Sequence, residues 1–319
     1  MGSRDDNLPV IDFSTFDLKP GTPEWESTRS LVSKAAEEYG CFQAVVRKFP
    51  DGLQPAINRS LGEVFELPLE AKRRNVSEKP FHGYFASSNV NPRFESLGVD
   101  HPETFSRIEK LTSTLWPEGN TNFRSKTLHS FCDEISKLDR LVRSMILESI
   151  GVDKYLEQHI SSTYYTFRMM RYESPETIDR TIRMKPHTDK NIVCIFHQND
   201  IDGLEVQARD GGLWLPANFA PDSSFYVVIG ESFRAWTNGR LHSPLHRVVM
   251  TGGDDHKARC SAGLFSVPRD GHIVKAPEEL VDENRPLLFR PFDYAEYLKL
   301  RCADVDKAVV PSLKDYFGV

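Results

Sequence analysis

No stretch of the 319 residues stays apolar for the ~18 positions that a membrane-crossing helix requires, so no span is expected. Cysteine is scarce and unpatterned. The five, Cys41, Cys132, Cys194, Cys260 and Cys302, are odd in number and scattered, and no Cys-x-x-Cys occurs. That argues against a disulfide frame or a cysteine zinc site and suits thiols kept in a reducing compartment. Positive charge is in deficit: 40 Lys and Arg against 46 Asp and Glu leave a net charge of −6. Neither nucleic acid nor an anionic membrane surface is the expected partner. The start, Met1-Gly2-Ser3-Arg4-Asp5-Asp6, lacks the apolar centre of a signal peptide, and Asp6 stands where a myristoylated Gly2 needs Ser or Thr. Repeats and low-complexity segments are absent too. A soluble, cytoplasmic monomer is expected.

Aromatic residues are plentiful, with 20 Phe and 10 Tyr, enough for a core and for a pocket that takes an organic molecule. Residues 8–13 alternate like a short strand. Leu31, Val32, Ala35, Ala36 and Tyr39 keep helical spacing over 22–39, and Gly40 is a stop. A strand over 41–46 and a helix over 52–66, interrupted by Pro68, follow. Residues 80–102 show no clear period and read as loop, where Phe81, Tyr84, Phe85 and Phe94 either border a pocket or anchor the loop. The longest helical pattern, 123–150, is capped by Gly151.

After about residue 161 the grammar changes. Short β-rich runs at 164–172, 191–198, 203–208, 212–216, 224–229, 245–251 and 261–267 alternate with turn dipeptides such as Asp202-Gly203 and Asn238-Gly239. A helix returns near Tyr294, Tyr297, Leu298 and Leu300. The expected fold is mostly β with a helical annex: a double-stranded β-helix (jelly-roll) core over 161–270. A helical and mixed region over 1–160 and a helical tail over 271–319 flank it.

The chemistry concentrates in Met184-Lys185-Pro186-His187-Thr188-Asp189-Lys190. On a strand, His187 and Asp189 would point to one face. A third ligand comes from His242 or His246. Pro244 between them disfavours the helix that would align both, and His246 opens a β-rich run, so His246 is preferred. Two histidines and one carboxylate with open positions opposite is the set used by non-haem Fe(II) oxygenases. Further on, Arg259 and Ser261 share a strand face, a pairing that suits a carboxylate, although an ordinary salt bridge is the plainer reading of Arg259 alone.

These motifs together, His187-Thr188-Asp189, Asn238-Gly239-Arg240 with His246-Arg247-Val248, and Arg259-x-Ser261, resemble the plant iron(II)/2-oxoglutarate-dependent dioxygenases. The likeness runs from Leu8-Pro9-Val10-Ile11-Asp12-Phe13 through Val227-Val228-Ile229-Gly230-Glu231 to Tyr294-Ala295-Glu296-Tyr297-Leu298. One departure is informative. Where most plant members carry an Asn-Tyr-Tyr-Pro-Pro-Cys-Pro-like stretch, this chain reads Met169-Met170-Arg171-Tyr172-Glu173-Ser174-Pro175. That version is similar to the AOP-like branch, whose members modify glucosinolate side chains and whose relatives act on other specialised metabolites or on auxin.

The resemblance implies Fe(II) on His187, Asp189 and His246, and 2-oxoglutarate held by Arg259 and Ser261 with Tyr172 as a further contact. O2 is then consumed, CO2 and succinate are released, and a small organic metabolite or hormone loses hydrogen from a C–H bond, with ascorbate as an optional reductant. Phe265, Arg168, Met170 and Lys110 are candidate substrate contacts, each with ordinary packing or a salt bridge as the alternative. Three other readings compete: a non-catalytic jelly-roll binding protein, a zinc hydrolase on the same ligands, and an oxidase that uses ascorbate in place of 2-oxoglutarate. A complete ligand set with an acid clamp argues against the first, and the lack of a neighbouring general base against the second. The clamp also argues against the third.

Overall fold

The computed structural model describes residues 7–14, 18–80, 82–87, 93–218, 224–252, 257–304 and 311–319, the side chains of 124–126 excepted. Strand β1 (Val10–Asp12), helix α1 (Pro23–Glu38) and strand β2 (Cys41–Val45) form a parallel crossover unit. Thr22 opens α1 by accepting the Trp25 amide at 3.2 Å, and Pro23 sits where a missing N–H leaves no bond unmade. Trp25, Thr28, Val32, Ala35 and Ala36 bury one stripe of the helix. Helices α2 (Leu53–Glu66) and α3 (Leu69–Arg73) are separated at Pro68. Strands β3 (Phe85–Ala86) and β4 (Phe94–Asp100) and helix α4 (Phe105–Leu115) follow. A π-helical stretch, Asn122–Leu128, leads into the long helix α5 (His129–Ser149), and α6 (Leu156–Ser161) closes this half.

The second half is strand-rich: β5 (Thr163–Tyr172), β6 (Thr181–His187), β7 (Val193–Gln198), β8 (Leu204–Gln207), β9 (Trp214–Pro216) and β10 (Ser224–Ile229). Helix α7 (Glu231–Trp236) precedes β11 (His246–Met250) and β12 (Arg259–Pro268). The chain ends with β13 (Ile273–Val274), β14 (Phe292–Asp293), α8 (Tyr294–Ala303) and α9 (Leu313–Phe317).

Two sheets carry the fold. The large one runs β1-β2-β10-β7-β12-β5-β4-β3 and the small one β6-β11-β8-β9. The first 160 residues therefore extend the large sheet at both edges as well as covering it. Its outer face packs on α5, with the Phe131 ring 5.9 Å from Phe167 and 6.2 Å from Phe225. Its inner face meets the small sheet through two apolar clusters. Leu204, Val206 and Leu215 pack with Tyr226 and Val228, and Val248 and Met250 with Phe94, Met170 and Tyr172. Among the described residues no helix is long and apolar enough to cross a membrane, and all five cysteines are free.

Two expectations need correction. Residues 80–102 are not all loop, because β4 lies within them, paired with β5 over seven positions. Helices and a second sheet cover its two faces, so β4 is buried from Phe94 to Val99 and shows no alternation in sequence. Nor does a strand span His187-Thr188-Asp189: β6 ends at His187, and Asp189 lies in the turn beyond it. Phe81 lies outside the described residues.

Candidate metal centre

His187 ends β6 and His246 begins the neighbouring antiparallel strand β11, where the two are direct register partners. Their rings lie 4.3 Å apart between centres. Asp189 reaches the same point from the turn, its Oδ1 3.9 Å from Nε2 of His187 and 3.7 Å from Nε2 of His246. One ligand atom from each of the three lies within 4.8 Å of the others, and no other such group of three exists among the described residues. Each Nδ1 is directed at a backbone carbonyl, His187 at Lys185 (2.9 Å) and His246 at Pro244 (3.4 Å). With those nitrogens donating, each Nε2 keeps a lone pair facing the centre. Loss of solvent and the neighbouring His246 hold the His187 imidazole well below the usual histidine range, which keeps that lone pair free. The Asp189 Oδ2 is buried without a hydrogen-bond partner. A carboxylate with an unsatisfied oxygen beside two imidazoles fits a hard divalent cation of the iron type, so donor set and surroundings match the metal expected from the sequence.

The turn carrying Asp189 is pinned by α7. Gly230 approaches so closely that a Cβ would collide with the Asn191 carbonyl, and this lets the Glu231 amide donate to the Asp189 carbonyl at 2.8 Å. The Glu231 carboxylate accepts from Thr188 Oγ1 (2.8 Å), Lys190 Nζ (3.0 Å) and the Tyr297 hydroxyl. Lys190 and Glu231 expose only 13% and 6% of their side chains, so solvent screening is weak. Removing one member of a buried ion pair costs about 3–5 kcal/mol. Glu231→Ala is therefore expected to lower unfolding free energy by about that amount in a urea melt. A loss under about 1 kcal/mol would show the turn to be held by other contacts.

A second constellation lies on the inner face of the large sheet, across from the small sheet whose β6 and β11 carry the two histidines. Arg259, 3% exposed, donates to Gln198 Oε1 (2.6 Å) and to Ser261 Oγ (3.4 Å), and its guanidinium stands 5.2 Å from the Tyr172 ring centre. No carboxylate pairs with it among the described residues, and its Nε is buried without a partner. Burial pulls the Arg259 pKa down, against an opposing contribution from Tyr172. A buried cation without a counter-ion is costly in a folded chain unless an anion completes it.

The comparisons with known proteins bear on both constellations. A family model described as the 2OG-Fe(II) oxygenase superfamily matches residues 157–268. Another, described as the non-haem dioxygenase in morphine synthesis N-terminal region, matches residues 8–114. Over 296 residues the chain is 44% identical to the Arabidopsis thaliana protein named "Probable 2-oxoglutarate-dependent dioxygenase AOP1.2", covering 91% of this chain and 89% of that one. The chain belongs to the iron(II)/2-oxoglutarate-dependent dioxygenases. This dioxygenase is also 29% identical to 2-oxoglutarate-dependent dioxygenase AOP3 of Arabidopsis thaliana, covering 100% of this chain and 99% of that one. Its fold is similar to the crystal structure of the rice dioxygenase for auxin oxidation, with a TM-score of 0.81, 27% identity, and coverage of 98% and 100%.

The dioxygenase places its other candidates unevenly. Met170 packs with Tyr172 and Phe94 on the inner face. Phe265 meets Phe196 edge-on at 5.5 Å, and Phe196 in turn lies 6.4 Å from the His246 ring. Phe85 reaches Tyr172 through Phe94 (6.1 and 4.9 Å), whereas Tyr84 bonds Glu95. Lys110 stands on the exposed side of α4, and no described contact connects it with the cluster. His242 donates its amide to the Ala36 carbonyl at the end of α1 and is not part of the group of three. Asn238-Gly239 is not a hairpin turn. It ends α7, and Asn238 ties Leu280 and Leu288 of the tail (3.1 and 2.9 Å). Gln198, Phe196 and Glu231 were not singled out from the sequence. Gln198 and Phe196 are recruited by strand register, which no local pattern reveals, while Glu231 lay inside a family-like segment.

Proposed function

We propose that this dioxygenase oxidises a small specialised metabolite or hormone, with Fe(II) held by His187, Asp189 and His246. Arg259 and Ser261 take the distal carboxylate of 2-oxoglutarate, with Tyr172 and Gln198 beside them. The observation that carries this reading is the pair of unmet demands, one on each of the two facing sheets. The Asp189 carboxylate turns Oδ1 toward both imidazole Nε2 atoms and leaves its buried Oδ2 unpartnered, and a buried guanidinium lacks its anion. Bound there, the iron would let O2 and 2-oxoglutarate be converted with substrate R–H to R–OH, succinate and CO2, or to the equivalent desaturated, demethylated or cyclised product. The chain's own work is positional. His187 and His246 fix their tautomers through backbone carbonyls, and Glu231 and Lys190 fix the Asp189 turn. Phe196, Phe265 and Met170 keep water from the reacting face. The rice relative's description as a dioxygenase for auxin oxidation supports a hormone or similar metabolite as substrate class. A net charge of −6 and five free cysteines support a cytoplasmic protein without nucleic-acid partners.

Succinate release in a metabolite-library screen with Fe(II), 2-oxoglutarate and O2 tests the proposal. Substrate-stimulated succinate that disappears when zinc replaces iron is expected. Substrate turnover with zinc and no succinate would instead favour the hydrolase.

A further inference from the structure

On the inner face of the large sheet, register places side chains in rows. Phe94, Tyr172 and Arg259 form one row; Ser96, Met170 and Ser261 the next; Gly98, Arg168 and Gly263 the third. Arg168 thus shares a face with the Arg259 clamp, four residues along β5 from Tyr172, with a glycine on each neighbouring strand. The rings of Phe196 and Phe265 lie over Gly263, where a Cβ would come within 2.9 Å of both. An aromatic path therefore leads from the Arg168 row through Phe196 to His246.

Arg168 has no acid of its own. Its Nη2 donates to Ser96 Oγ at 2.6 Å, its Nε is buried without a partner, and no carboxylate pairs with it among the described residues. Asp100, the nearest acid on the same face of β4, is occupied by His82 and Thr166, both at 2.7 Å. Glu95 is taken by Lys72, Tyr84 and Arg171. Burial lowers the Arg168 pKa, with Tyr172 and Asp189 acting in the other direction. Two guanidiniums on one face lack counter-ions, and the co-substrate's distal carboxylate accounts for one.

Resting on the dioxygenase reading above, we infer that Arg168 anchors an anionic group of the organic substrate, a carboxylate by its planar two-oxygen fit, so that this enzyme selects acids over their neutral analogues. Ser96 steadies the guanidinium, and the Phe196 and Phe265 rings border the space between that anchor and the metal centre. A charge-assisted pair of this kind should favour an acid over its amide by on the order of tenfold or more.

The test uses anaerobic Fe(II)- and 2-oxoglutarate-loaded protein. Phenylacetate, 3-phenylpropionate, cinnamate and hexanoate are each titrated calorimetrically against their amides. At least one acid should outbind its amide by about tenfold, Arg168→Gln should remove that preference, and Arg168→Lys should keep part of it. 2-Oxoglutarate affinity should stay within about twofold of wild type in both variants. A panel in which no acid outbinds its amide overturns the inference, as does a preference that survives Arg168→Gln. A variant that loses 2-oxoglutarate instead would assign Arg168 to the co-substrate. Thermal unfolding gives a separate check without any ligand. Arg168→Met should leave Tm unchanged or raised, because a side chain kept for an absent anion does not stabilise the free fold. A fall of about 3 °C or more would make Arg168 structural and end the proposal. Wild-type protein that takes up no 2-oxoglutarate would remove the dioxygenase reading itself.

Discussion

His246→Ala, Asp189→Ala and His187→Ala are each expected to abolish succinate release while the protein stays folded. A site of three protein ligands that loses one keeps too few donors to hold iron against buffer. The fall in affinity should exceed the roughly 10–100-fold that loss of a mere supporting partner costs. The fold should survive, because Asp189 Oδ2 makes no bond and the two imidazoles spend one nitrogen each on a carbonyl. His242→Ala is the control, since His242 contributes its backbone to the end of α1 and stands outside the cluster. Elemental analysis after gel filtration, with circular dichroism for the fold, reads both effects. Iron retained in the His246 variant and lost in the His242 variant would reverse the ligand assignment.

The second large effect is expected at Arg259. Its guanidinium is 3% exposed and unpaired, so a bound carboxylate would form a buried, charge-assisted pair. Truncating one partner of such a pair costs about 3–5 kcal/mol. Arg259→Ala should therefore weaken 2-oxoglutarate by on the order of a hundredfold or more. Ser261→Ala removes one hydrogen bond to a charged group, about 1.5–3 kcal/mol. Arg259→Lys should recover only part of the loss, because an ammonium keeps the charge without the fork. Iron content should be unchanged in all three. Unaltered 2-oxoglutarate affinity in Arg259→Ala would move the clamp elsewhere.

Much of this was legible in the sequence, for identifiable reasons. Several strands of the second half announce themselves because they are short, β-branched or aromatic, and bounded by Gly or Asp turns, as at 203–208 and 224–229, whereas β6 was not among the β-rich runs. The helix 123–150 announces itself by a stripe that the structure buries, including Phe131, Ile135, Leu138, Val142 and Ile146. The strand β4 stayed hidden because both its faces are covered. The rule that places alternate residues on one face picked out His187 and Asp189, which the structure does bring together, but by the wrong geometry, since only the first is on a strand. His246 was reachable because Pro244 blocks the helix that would have aligned it with His242. Gln198 and Phe196 were not reachable, since each enters the site through cross-strand pairing with Ser261 and Gly263. Such pairing joins residues more than 60 positions apart, and no sequence window carries it.

The most direct measurement is an anaerobic titration of 2-oxoglutarate into Fe(II)-loaded protein, following the visible absorption band of the chelate formed when the keto acid binds iron. Wild type and His242→Ala should both develop the band and saturate at one equivalent per chain. Arg259→Ala should develop it only at on the order of hundredfold higher 2-oxoglutarate, and His246→Ala should not develop it. A wild type without the band, or a His246→Ala protein that develops it at wild-type concentrations, would contradict the metal centre described here.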